Sequence, residues 1–386
     1  MNLKGGGRVA LRHCFMRDYT LTSTYDYFLP ENLIAQTPAE PRDSSRMLVF
    51  DGKRTTSESE FNKEDCKKHI HHKHFYDIVD FLKEGDVLVI NNTRVLPARI
   101  FGIKEETGAK IEVLLQKRID LTKWEIIARP TKRLKSGTIV KFNDELSGRI
   151  LEVRGEGECL IEFLFEKEKD GKVVSFEEIL ERIGNMPLPP YIHEKLTDKE
   201  RYQTVYSKIP GSSAAPTAGL HFTPEILEKL KQKGVIIAEV LLQVGLGTFR
   251  PVKEESILKH KMHSEYISVS KETAEIVTKA KREGRRVVAV GTTSMRTLES
   301  MAEKEIQNGK EIYVLRAGEK ETNIFIFPPY KFKIVDCLLT NFHLPQSTLL
   351  MLISAFIGLD NVMEIYQTAI KENYRFFSFG DCCLFL

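Results

Sequence analysis

The sequence predicts an α/β protein: a helix-covered sheet domain with a small antiparallel β-barrel inserted into it. Three observations carry this. Between Asp86 and about Glu166, short runs rich in β-branched and aromatic residues are divided by turns such as Glu106-Thr107-Gly108 and Lys135-Ser136-Gly137. That spacing fits a small closed or partly open barrel. From Thr223 onward, apolar runs alternate with capped helical segments, which calls for a sheet covered on both faces. The chain has 386 residues, more than one ordinary core accommodates, so two domains are expected.

Residues 1–18 show no clean periodicity and read as an extension, with Met16 as an alternative start. The sheet domain is expected over 19–84 and 186–386, with the barrel inserted at 85–185. Six barrel strands are read at Val87–Ile90, Lys110–Leu115, Trp124–Ala128, Thr138–Phe142, Ile150–Val153 and Cys159–Phe165. A helix at Ser175–Arg182 follows, and the stiff Met186-Pro187-Leu188-Pro189-Pro190 segment leads out of the barrel. Thr223-Pro224 supplies an N-cap and an N1 proline for a helix over Glu225–Lys233, stopped by Gly234 before a strand at Val235–Val244. Ser270 opens a second helix, Gly284 ends it, and Val287–Val290 is the next strand. A third helix is expected from Met295 and a strand at Ile334–Leu339. Ser347 caps Thr348–Ile357, and Asp360 caps a last helix to about Glu372.

Composition narrows the class. With 42% apolar and 29% charged residues the chain is of soluble globular type. The most apolar run, Leu349 to Phe356, is far short of the ~18 residues of a membrane span. The six cysteines include no Cys-x-x-Cys, which argues against a disulfide framework or zinc ribbon and for reduced thiols in a cytoplasm. A net charge of +3 permits a polyanionic partner without requiring one.

In open α/β sheets ligands bind beyond the carboxyl ends of strands. Three expected strand ends carry chemistry: Gly245-Leu246-Gly247-Thr248-Phe249-Arg250-Pro251, Gly291-Thr292-Thr293-Ser294 and Thr340-Asn341-Phe342-His343-Leu344-Pro345. A fourth loop, Ser212 to His221, is nearly all small residues and ends in Gly219-Leu220-His221. The Gly291 segment reads either as plain helix capping or as an anion site at a helix N-terminus. His221 and His343 read as ordinary histidines singly, and as functional ones if they share a rim. Arg296 is a surface residue or points back at a bound anion. Arg42-Asp43-Ser44-Ser45-Arg46 is a solvated turn or a clamp on phosphate or sugar hydroxyls. The run His69-Ile70-His71-His72-Lys73-His74 lacks supporting carboxylate or cysteine spacing, so no metal is expected and the run should be exposed and dispensable.

Tyr25-Asp26-Tyr27, Arg42 to Arg46, Asn92-Thr93-Arg94, Tyr202 to Tyr206, Ala215 to Thr223, Val244 to Pro251, Met262-His263, Val290 to Glu299, Thr340 to Pro345 and Phe376 to Asp381 occur in this order. Together they resemble the S-adenosylmethionine:tRNA ribosyltransferase-isomerase (QueA) family from about Tyr25 to the C-terminus. Gln243 stands where the family is expected to have histidine, Pro329 where glycine is expected, and Cys382-Cys383 where Ala-Met is expected. Glutamine hydrogen-bonds but does not shuttle protons near neutral pH.

The resemblance implies an α/β domain plus a barrel, and transfer of the ribosyl group of S-adenosylmethionine. The acceptor would be 7-aminomethyl-7-deazaguanine at the tRNA wobble position, giving epoxyqueuosine-tRNA, adenine and methionine without a metal. It implies His221 and His343 as acid and base in unassigned order, and Thr292, Thr293 and Ser294 around the methionine carboxylate with Arg296 as counter-charge. Phe222, Phe249 or Phe342 would stack on a base, and Gly219, Gly245, Gly247, Thr248, Gly291 and Asn341 would complete the cofactor contacts. Apart from the resemblance, the Arg42 to Arg46 turn is the candidate clamp on substrate phosphate or sugar hydroxyls, and basic barrel residues such as Lys132 and Arg133 are expected to touch tRNA phosphates. A cytoplasmic monomer is expected. The rival readings are an S-adenosylmethionine-dependent RNA methyltransferase, whose N-terminal glycine-rich loop is missing, and a non-catalytic RNA-binding module, whose barrel would show an aromatic stacking face.

Overall fold

A computed structural model describes residues 17–55, 58–166, 168–169, 172–194, 196–245, 252–307 and 309–386. Nine strands form one sheet, in the order Gly318–Thr322, Glu265–Val269, Ile236–Leu242, Val87–Asn91, Val287–Val290, Cys337–Asn341, Cys382–Phe385, Arg46–Phe50 and Ile70–His74. The four strands from Ile236–Leu242 to Cys337–Asn341 run parallel, so their carboxyl ends share one rim. Antiparallel strands flank them.

The parallel strands are apolar throughout because both faces are covered. Along Val87–Asn91, Val87 and Val89 join one core with helices Lys271–Arg282, Gly291–Ser300, Thr348–Ile357 and Leu359–Lys371. Leu88 and Ile90 point the other way, to a core closed by helix Pro224–Gln232 and Phe75. No single helix among the described residues is long and apolar enough to cross a membrane.

The barrel is closed, in the order Glu158–Leu164, Lys123–Arg129, Lys110–Arg118, Arg99–Lys104, Ile139–Lys141 and Ser147–Val153. Trp124, Phe163 and Phe176 pack inside it, the last from helix Phe176–Ile183. These three aromatics therefore fill a core, and Phe101, 54% exposed, is a single outward ring and not the stacking face a bare RNA-binding module needs. The chain enters the barrel straight from the centre of the sheet. There the Gln203 amide pairs with Val95 in both directions, at 3.0 and 2.8 Å, as a strand would.

Several expectations are corrected. Val87–Ile90 was expected in the barrel but lies at the heart of the large sheet, and Arg99–Lys104 supplies the sixth barrel strand. The third helix starts at Gly291, not Met295, so the Gly291-Thr292-Thr293-Ser294 segment is its first turn. Asp360 lies inside the first turn of its helix, whose N-cap is Gly358. The histidine run is the edge strand Ile70–His74, half-buried to exposed. A carboxylate does serve it: Asp51 bonds His69 at 2.8 Å and His71 at 3.2 Å. Residues 1–16 lie outside the described part of the chain. The five described cysteines are buried and free.

Candidate active site

The rim of the parallel strands holds a pocket lined by Ala218, Thr292, Thr293, Asn341, His343 and Ser378, among others. Its floor follows from one glycine. Gly291 has φ +81°, a conformation costly for other residues, and it lets strand Val287–Val290 turn into a helix with no connecting loop. Val290 offers that helix no side-chain cap, so the first-turn N–H groups remain available beside the pocket. In the same turn the hydroxyls of Thr293 and Ser294 are buried with no hydrogen-bond partner among the described residues.

One turn on, Arg296 pairs with Glu265, both side chains being about 5% exposed. Glu265 also accepts the Gly245 N–H at 3.0 Å. Arg296 Nε and Nη2 are buried without an acceptor among the described residues. A desolvated guanidinium left half-satisfied is costly, and an anionic ligand would remove that cost. Arg296 lines a second small cavity with Glu265, His260 and His263, and Leu349 borders both cavities.

The two histidines do not share the pocket. His221 and Asn341 lie on the sheet face that carries Leu339, whereas His343 bonds Thr340 (Nε2 to Oγ1, 3.0 Å) on the face of Leu338. The expected common rim is thus corrected: the imidazoles sit on opposite faces, and only His343 lines the pocket. His221 reaches the pocket through Asn341 alone. Asn341 Nδ2 donates to the carbonyls of Phe377 (2.9 Å) and Ser378 (3.4 Å), so its Oδ1 faces His221 and must accept from Nε2–H, at 3.2 Å. Nδ1 then accepts from the Ser45 hydroxyl at 2.7 Å. This relay ends on Phe377, a residue at φ +70° that lines the pocket.

Both imidazoles are neutral near pH 7. Burial pushes His221 down to about 4; its bond to Asn341 opposes the fall, and the guanidiniums of Arg375, Arg201 and Arg42 add to it. Burial alone pushes His343 down to about 3. His343 Nδ1 has no hydrogen-bond partner among the described residues.

Arg42 donates to the carbonyls of Gln203 (2.9 Å), Leu220 (3.3 Å) and Glu200 (2.8 Å), bracing the loop that carries His221. Arg46 lies over the Tyr374 ring and donates to the Glu372 carbonyl. Ser44 bonds Pro41, and Asp43 sits in the same short turn. Gly219 is a packing glycine, because a Cβ there would overlap the Tyr206 hydroxyl. Phe222 is core, edge-on to Phe75. Phe342 borders the pocket while packing on Phe376. Gly247, Thr248 and Phe249 lie outside the described residues. Lys132 and Arg133 are exposed on the barrel, far along the chain from the pocket residues. Sequence reasoning missed Glu265, Tyr191, Phe377 and Ser378 as site residues. The signal for the last two was their place in the Phe376 to Asp381 motif; a lone glutamate at the start of a strand carries none.

A family model described as queuosine biosynthesis protein matches residues 22–385. A Fusobacterium nucleatum protein named S-adenosylmethionine:tRNA ribosyltransferase-isomerase is 51% identical over 364 residues, 94% of this chain and 96% of its own length. A Desulfitobacterium hafniense protein of the same name is 53% identical over 363 residues, 94% of this chain and 98% of its own. Among solved structures, the S-adenosylmethionine tRNA ribosyltransferase of Thermotoga maritima is 36% identical, covering 94% of this chain and 100% of that one, with a TM-score of 0.49.

Proposed function

The chain belongs to the queuosine biosynthesis protein family, and from that premise we propose that the strand-end pocket holds the methionine end of S-adenosylmethionine during transfer of its ribosyl group to tRNA. The enzyme is an S-adenosylmethionine:tRNA ribosyltransferase-isomerase of queuosine biosynthesis. The observation that carries the placement is a run of donors unsatisfied among the described residues along one helix start: the Thr293 hydroxyl at the pocket, the wholly buried Ser294 hydroxyl behind it, and Arg296 Nε and Nη2 beside the adjoining cavity. A carboxylate is acceptor-only and takes several N–H and O–H bonds at once, so the methionine carboxylate suits this corner.

His343 is the side chain placed to take a proton. It lines the pocket, it is neutral, and its one ring bond among the described residues is from Nε2 to Thr340, which leaves Nδ1 open. The sulfonium of the donor acidifies its neighbouring 5′-methylene, which lets a weak base act. His221 is a positioning residue, holding Asn341 and through it the Phe377 carbonyl. The acceptor is the aminomethyl-deazaguanine at the tRNA wobble position, and exposed Lys132 and Arg133 on the barrel contact tRNA phosphates. In this reading the working unit is a monomer acting on tRNA in the cytoplasm.

Incubation with S-adenosylmethionine and tRNA bearing the aminomethyl-deazaguanine should release adenine and methionine in equal amounts. Release of S-adenosylhomocysteine instead means methyl transfer and ends this reading.

A further inference from the structure

Between the barrel and the sheet lies a cleft of about 400 Å³, lined by Gln116 and Trp124 from the barrel and by Gln243, Glu265 and Tyr266 from the sheet side. The strand-end pocket has about 70 Å³ and the Arg296 cavity about 30 Å³. Of these three adjoining spaces the cleft alone reaches the size that small-molecule sites generally have; a larger hollow of about 690 Å³, lined by Tyr27, Phe28 and Asp360 among others, shares no lining residue with them. It touches both smaller spaces, sharing Val244 with the pocket and Glu265 with the Arg296 cavity.

The polar groups in the cleft are of a particular kind. The Gln243 backbone N–H is held by the Tyr266 carbonyl at 3.0 Å, while its side-chain amide bonds nothing among the described residues. That amide lies against the bare backbone of Gly211, where any Cβ would overlap it. The Gln116 amide makes only long contacts, 3.4 and 3.5 Å, to carbonyls of its own strand. Trp124 is 4% exposed, and its indole N–H is buried with no acceptor among the described residues. The two cations that line the cleft are neutralised, Lys117 by Glu321 and Arg118 by Glu177, each at 2.6 Å.

A site for phosphate would show free cations, and this one shows free amides and a free indole N–H. A primary amide presents a donor and an acceptor side by side, which matches the N1–H and O6 of a guanine-like base, and an indole N–H needs an acceptor such as that carbonyl. The geometry points to this cleft as the seat of the acceptor nucleobase, swung out of the tRNA and read on its Watson–Crick edge by Gln243, Gln116 and Trp124. Its aminomethyl arm would face the inner end, where Glu265 and Val244 lead to the donor. The assignment rests on the ribosyl-transfer reading above.

The test uses the full-length enzyme and its Trp124→Phe and Gln243→Ala variants. S-adenosylmethionine affinity is measured by calorimetry, and KM and kcat for tRNA bearing the aminomethyl-deazaguanine by adenine release. Trp124→Phe removes a buried N–H that bonds nothing, so its melting temperature should hold or rise. Its tRNA KM should nonetheless rise about 5- to 10-fold, the weight of one hydrogen bond. Gln243→Ala should raise tRNA KM by a similar factor, with S-adenosylmethionine affinity and kcat near wild type. Unchanged tRNA KM in both variants overturns the assignment. Weakened S-adenosylmethionine binding with normal tRNA KM also overturns it, by giving the cleft to the donor's adenosine. A wild-type enzyme that releases no adenine instead defeats the ribosyl-transfer reading itself.

Discussion

The two ends of helix Gly291–Ser300 are built on opposite principles. At its carboxyl end Glu299 is 1% exposed and accepts four hydrogen bonds, from the Tyr330 hydroxyl and the backbone N–H groups of Lys333, Ile334 and Val335, all at 2.9–3.0 Å. Toward its amino end Thr293, Ser294 and Arg296 are buried too, yet among the described residues the two hydroxyls have no partner, and Arg296, paired with Glu265 through Nη1, leaves Nε and Nη2 without one. Buried polar groups in proteins are normally satisfied, so an unsatisfied cluster three residues from a fully satisfied carboxylate is not loose packing. One end is satisfied by the protein itself, and the other is the end we propose a ligand completes.

Substitutions at the two ends should separate accordingly. The largest effect is expected at Glu299. Glu299→Ala strands three backbone N–H groups and a tyrosine hydroxyl in the core, which should cost about 4 kcal/mol of stability in a denaturant titration. A loss under about 1 kcal/mol would erase the contrast.

The second test is pH. His221 has a folded-state pKa near 4, below its ordinary 6.5, so the unfolded chain takes up the proton first. Its contribution is complete above pH 6.5 and is lost as pH falls toward 4, by about 3 kcal/mol at most. Stability curves of wild type and His221→Gln should therefore converge as pH falls from 6.5 to 4, and parallel curves would contradict a neutral imidazole. At the ligand end, Thr293→Val removes a hydroxyl that bonds nothing. Stability should hold or rise by about 1 kcal/mol while S-adenosylmethionine binds about 10-fold more weakly. A stability loss with normal binding would make Thr293 part of the scaffold. The smallest effect lies on the barrel. Replacing Lys132 and Arg133 with glutamine should lower the salt slope of tRNA binding by about two, one per phosphate contact, and leave donor binding alone.

What could be read in advance depended on where each signal sits. Helices with local caps were legible: Ser347 accepts from the Leu350 N–H, and Thr223 from the Ile226 N–H. The strand at Val287–Val290 was legible because burial on both faces makes it wholly apolar. Its neighbour Val87–Asn91 was recognisable as a strand, but nothing local says that its partners lie at Ile236 and Val287, so proximity in sequence put it in the wrong sheet. Edge strands such as Ile70–His74 bury little and carry no apolar alternation. At the site, the residues on strand ends were found and their partners were not. Glu265 meets Arg296 across 31 positions, and His221 bonds an asparagine 120 positions away whose amide in turn bonds Phe377 and Ser378.

The placing of Arg46–Phe50 beside Cys382–Phe385 sets a timetable for synthesis. Phe50 and Cys382 are 332 positions apart (382 − 50), and at the usual 5–20 residues per second a ribosome takes roughly twenty seconds to a minute to cover them. The barrel pairs only with itself and can fold while the rest of the chain is still being made. Met47 to Phe50 meanwhile wait as four apolar residues with one sheet neighbour, Ile70–His74, and one open edge. Such an edge is a template for stray pairing. During that interval the open edge stays exposed to such pairing, and the rim of the parallel strands, which needs the strand at Cys337–Asn341, assembles among the last parts of the molecule.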